Sequence, residues 1–308
     1  MKKVFAALLA LALILCSVAV LTSCDGNEDA STTTSTAAPA TPADAETSAA
    51  GITQPPVTEG TTDGSTATSA PAQETTSAAP QALPATNAEI LAKYTEVMDF
   101  AKKSKPAYTK TEYQSIPADK RNFDSGIIKI LLSLASNFMT TEEAAKSDPE
   151  IHEKGQDTYW FPVYETEKGC LLTDESKIER AACTTLSNGN VKIVIELKNE
   201  MNSEPAAEGA TSAPSAVGSM FSPLARASID DTLKNDKAVK TVVKDVDYDL
   251  EYYDCTAVLV FNPETNQIVS LDQYMHTLIT IHGGRVLGSS AKGTAVLDNY
   301  MNIYDFRY

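Results

Sequence analysis

Histidine and tryptophan are scarce. The 308 residues hold three histidines, His152, His276 and His282, and one tryptophan, Trp160. On a shared extended run His276 and His282 would stand ~20 Å apart and Asp272 and His276 ~13 Å apart, too far to share a metal or form a catalytic pair. Cysteine is sparse as well. Cys16 and Cys24 lie near the N-terminus, and Cys170, Cys183 and Cys255 show no CxxC spacing that would favour zinc. Three thiols allow at most one bridge among themselves, and one unassigned bridge or three buried free thiols both fit. Bases are few: 25 Lys and Arg stand against 41 Asp and Glu, a net charge of −16. That balance speaks against nucleic acid and against an electrostatic hold on anionic lipid; it also serves simple solubility.

What is present begins with a leader. Lys2 and Lys3 precede a run from Val4 to Leu21 that is apolar apart from Cys16 and Ser17. The run is about long enough to span a bilayer once, so an uncleaved helix is the alternative reading. The flank decides between them. A retained anchor is usually followed by positive charge, whereas here Asp25, Gly26, Asn27, Glu28 and Asp29 follow. The order Leu21, Thr22, Ser23, Cys24 resembles the lipobox of bacterial lipoproteins. That resemblance implies a signal peptide over 1–23, cleavage before Cys24, and a diacylglycerol on its sulfur. Two acyl chains meet the requirement that stable anchoring takes more than one. The expectation is a chain held at the cell membrane and facing outside the cytoplasm.

Residues 24–86 read as a disordered tether. They are nearly all Ser, Thr, Ala, Pro, Gly, Gln and acids, with Ile52, Val57 and Leu83 as isolated large apolar groups, too few to repay the entropy of ordering. The tether holds eight acids and neither Lys nor Arg, and the leader takes Lys2 and Lys3, which leaves 33 acids against 23 bases in residues 87–308. Those residues suffice for one domain with a sizeable core.

Within that domain Thr86 and Glu89 form a capping-box pattern ahead of Ile90, Tyr94, Val97, Met98 and Ala101 at helical spacing. A second, buried helix is expected from Asp124 or Ser125 to Asn137, and a short third after Thr141. The period then changes. Asn188-Gly189 between two strand-like runs predicts a hairpin; as a two-residue turn it would put Cys183 on the face opposite Val191, Ile193, Ile195 and Leu197. Asp245, Asp247, Asp249 and Glu251 alternate with Val246, Tyr248, Leu250 and Tyr252, the pattern of a strand with one wet and one dry face. A second hairpin is expected around 262–267, a flexible insertion at about 203–227, and over Ala295–Phe306 a closing strand or a helix, the tyrosines and poor helical caps favouring strand. The sum is an α+β fold, N-terminal helices packed on a curved, mostly antiparallel sheet. The order of elements resembles the half-barrel of lipoprotein-carrier envelope proteins, which implies a sheet cupping helices.

Motifs for chemistry are missing. No G-x-S-x-G, Walker A or dinucleotide fingerprint occurs, so no cofactor is expected. Ser289 to Lys292 fits S-x-x-K, but the S-D-N and K-T-G that accompany it in penicillin-recognising enzymes are absent. No spacing singles out a carboxylate pair, so no catalytic or metal-binding residue is assigned. One cluster has the composition of a recognition surface: Tyr159, Trp160, Phe161 and Tyr164 around Pro162. Amphipathic rings suit stacking on sugars, peptides or a partner surface, or else they plug the core. The expected function is non-enzymatic binding of a small molecule, lipid, glycan or protein of the envelope. A hydrolase of wall polymers and a structural spacer are the alternatives. A lipid ligand would require an apolar cavity.

Overall fold

The computed structural model describes residues 82–124, 126 and 139–308; the leader, Cys24 and nearly all of the tether lie outside them, as does most of the expected second helix. In chain order the domain runs α1 (Asn87–Ser104), β1 (Ala107–Ser115), β2 (Arg121–Phe123), α2 (Glu142–Ser147), β3 (Glu150–His152), β4 (Ile178–Thr185), β5 (Val191–Leu197) and β6 (Glu200–Met201). It continues with α3 (Arg226–Asn235), α4 (Lys237–Val242), β7 (Val243–Phe261), β8 (Ile268–Val286), β9 (Ser289–Ser290) and β10 (Gly293–Arg307).

The expected α+β class is corrected here. The described residues form one ten-stranded sheet of order β3-β1-β10-β8-β7-β5-β4, with β2, β6 and β9 as short side pairings, and helices are few. Every strand pairing is antiparallel. The expectation overweighted helical periodicity in the first half because β1 carries no clean alternation. Its buried residues include Lys110 and Thr111, polar side chains that a hydropathy pattern places in solvent.

Helix α1 has the cap its sequence encodes. Thr86 Oγ1 accepts from the Glu89 amide at 3.2 Å, and Glu89 Oε2 accepts from the Thr86 amide at 3.1 Å. Its apolar face, Ile90, Leu91, Tyr94, Val97, Met98 and Ala101, packs with Val191, Ile193, Ile195 and Leu197 of β5 and Ala257, Leu259 and Phe261 of β7. Each large side chain so buried contributes about 1.5–3 kcal/mol. Gly169 permits a close approach to the helix: a Cβ there would lie 2.5 Å from the Met98 backbone.

The stretch expected as a flexible insertion, 203–227, packs down as irregular structure. Val217, Met220 and Phe221 are buried in the main core, and the Glu200 carboxylate accepts from Ser203 Oγ, Ala216 N and Val217 N at 2.8–3.1 Å. It thus forms, with α1, the cover over one face of the sheet. One register differs from expectation. The first hairpin turns through three residues, with Leu186 N donating to Asn190 O and Gly189 at φ +84°, so Cys183 pairs with Ile193 on the inner face. A one-residue change of turn length flips the whole strand. Among the described residues the three cysteines are free, Cys170 and Cys255 buried and Cys183 half-buried.

Candidate functional site

The cluster Tyr159 to Tyr164 is organised by a lysine. Lys102, in the last turn of α1 and 3% exposed, sends its Nζ into a cage of four carbonyls: Thr158, Phe161, Val163 and Thr166, at 2.7–3.0 Å. Three N–H groups meet four acceptors, so at least one is shared. Burial draws the ammonium down to about 7, opposed by the charges of Asp99 and Asp157. The cage folds Phe161 and Tyr164 inward, to 1% and 6% exposure, where they belong to the core. Tyr159 and Trp160 stay half-exposed, edge-to-face at 4.9 Å.

Behind Tyr164 lies a buried polar group. Its hydroxyl donates to Glu112 Oε2 at 2.7 Å, and Lys110 Nζ, 1% exposed, sits 3.3 Å from Glu112 and 3.2 Å from Glu150. A hydrogen bond from His152 and the Lys110 charge hold Glu150 below the usual carboxylate range. Two carboxylates thus share one lysine, but the cleft beside Glu112 and Tyr164 encloses about 20 Å³. That is room for one water, neither for a sugar at a hydrolytic pair nor for an acyl chain.

The larger feature is on the opposite face. Cross-strand register sets Ser115, Asp298, His276 and Tyr253 in one row across β1, β10, β8 and β7, and Tyr113, Tyr300, Tyr274 and Thr256 in the next. Thr111, Asn302, Asp272 and Val258 make a third. A bulge with Asp254 at φ +49° keeps both Tyr253 and Thr256 outward while Cys255 turns in. The five rings form one continuous band and all are half-exposed. Tyr113 stacks on Tyr300 at 5.0 Å and Tyr253 on His276 at 5.4 Å, and Tyr300 meets Tyr274 and His276 edge-on at 5.8 and 6.0 Å.

Polar groups are set among the rings. Asp298, 3% exposed, lies 2.7 Å from His276 Nδ1 and 3.6 Å from Lys120 Nζ. Asn302 Nδ2 donates to Asp272 Oδ1 at 2.9 Å. Burial raises the phenols of Tyr113, Tyr253, Tyr274 and Tyr300, so at neutral pH each both donates and accepts. At the β1 end the band opens into a groove of about 620 Å³ between Tyr113, Ser115, Ile116 and Tyr300 and the residues Thr141, Glu142 and Glu143 at the start of α2. That volume is in the range of small-molecule sites.

Sequence reasoning missed this band because its members come from four strands and meet only through register. Asp298, the partner of His276, is 22 residues away in the chain. The period-two spacing of Tyr274 with His276, and of Asp298 with Tyr300, was the available signal. A nucleophile relay is not assembled: Ser115 faces Asp298 from the side away from His276, two strands off, so the imidazole does not lie between hydroxyl and carboxylate. His282 pairs with Asp249 at 2.9 Å, and His152 stacks on Tyr108 at 4.4 Å. Among the described residues no three His, Cys, Asp or Glu side chains group as metal ligands. Ser289 and Ser290 sit in β9, a short strand paired with the end of β8. Comparison with protein-family models, with curated proteins and with solved structures finds no match.

Proposed function

We propose that this is a non-enzymatic, lipid-anchored protein facing outside the cytoplasm, whose domain binds an envelope component through the tyrosine-bearing face of its sheet. The observation that carries the reading is the band Tyr113, Tyr300, Tyr274, His276 and Tyr253, half-exposed and running into a groove of about 620 Å³. Rings left at a surface at that density cost solvation free energy that a ligand would recover. The leader and lipobox at Cys24 supply the location, and the tether supplies reach.

The test is co-sedimentation of the full-length chain with isolated cell envelopes. Tyr300→Ala and Tyr274→Ala, each checked for native circular dichroism, are expected to weaken binding at least tenfold, and Trp160→Ala to leave it within a factor of two. Retention of full binding by both tyrosine variants would return the band to a structural role.

A further inference from the structure

We infer that the ligand of this face is a strand of uncharged sugar. The inference rests on the reading of the face as a ligand surface and adds the chemical class.

The composition of the band carries it. The centre of a protein–protein interface is depleted in carboxylates, yet Asp298 and Asp272 stand in rows flanking that of Tyr300 and Tyr274. Asp272, half-buried and held by Asn302, is a pre-oriented acceptor, while Asp298, buried and engaged by His276 and Lys120, fixes the His276 ring in the band. A pyranose has this double character: apolar C–H faces for ring contact and hydroxyl donors around its rim for fixed carboxylates and amides. The hydroxyls of Ser115, Thr141 and four tyrosines add donors and acceptors of the same neutral kind.

Charge complementarity narrows the class. Among the described residues the groove is lined by two carboxylates, Glu142 and Glu143, and by no base; Lys120 and Lys146, whose charges reach Tyr300 and Tyr113, pair with Asp298 and Glu142. A phosphate- or carboxylate-bearing polymer would meet acids first. An extended peptide is disfavoured too. Strand addition needs a free edge, and β1 has β10 along one side, with β3 and the Thr140 carbonyl, which accepts from Gln114 N at 3.1 Å, along the other.

The experiment incubates the full-length chain with chitin, cellulose, wall glycan stripped of its phosphate polymers, and polyglutamate as an anionic control. Sedimentation with at least one neutral glycan, competition by its soluble oligosaccharide, and a loss of tenfold or more in Tyr300→Ala and Tyr274→Ala are expected. Asp272→Asn, nearly isosteric, should lower affinity several-fold. If no neutral glycan binds while intact envelopes still do so in a Tyr300-dependent way, the sugar assignment falls and the surface assignment stands. Binding to polyglutamate alone, or Tyr300-dependent capture of an envelope protein, overturns the sugar assignment likewise. Glycan binding unchanged in both tyrosine variants overturns both.

Discussion

Lys102 shows how one side chain sets a loop. Its four carbonyl acceptors come from a nine-residue span, Thr158 to Thr166, with no strand or helix of its own. Lys102→Met keeps the stem but leaves those oxygens without their donor. Each buried acceptor left unmade costs about 1–3 kcal/mol, so a stability loss of about 3 kcal/mol or more is expected in urea titration, with raised Trp160 solvent exposure seen as a red shift in fluorescence. Asp249 is a second such residue. Hydrogen bonds from Asn202, His282 and Arg226 hold its carboxyl down to about 2. A folded pKa below the unfolded value of about 3.9 means the contribution is complete above that pH and is lost as pH falls through about 2. Asp249→Asn should therefore flatten the acid limb of the stability curve below about pH 4, measured by denaturation at stepped pH. The aromatic composition around Trp160 and a core-plugging role for its rings were legible in the sequence, but which rings turn inward was not. Nothing in Tyr159 to Tyr164 announces that a lysine more than fifty residues earlier will gather the carbonyls between them.

At the scale of elements, local signals carried far and register did not. Thr86 with Glu89 marked the start of α1, and Asn188-Gly189 marked a hairpin. Whether that hairpin turns through two residues or three depends on how β5 must align with β7, which is a matter of distant chain. Gly189 sits at φ +84°, so Gly189→Ala is expected to cost about 1–2 kcal/mol, read as a lowered midpoint in thermal melting, whereas a residue in ordinary backbone geometry would tolerate alanine. The strand β1 was not legible because it is buried through charged and hydroxyl side chains whose partners, Glu150 and Tyr164, come from elsewhere. Register likewise built the candidate site, since Tyr113, Tyr300, Tyr274 and Tyr253 are unremarkable until four strands are laid side by side.

For the whole molecule, the proposed arrangement is a lipid at Cys24, a tether and a binding head. Cys24→Ala is expected to leave the leader uncleaved or the chain released, and fractionation should show loss of the globomycin-sensitive, detergent-soluble form; an unchanged pattern would remove the lipid from the account. The head itself uses each long strand twice. Along β8, Leu271, Gln273, Met275 and Thr277 are buried toward the helix, while Asp272, Tyr274 and His276 face out. Substitutions at odd positions should therefore register in the yield of intact protein, and those at even positions in what it holds. On the proposed reading, a lineage could exchange its target through the even positions of β8 while inheriting the same scaffold intact.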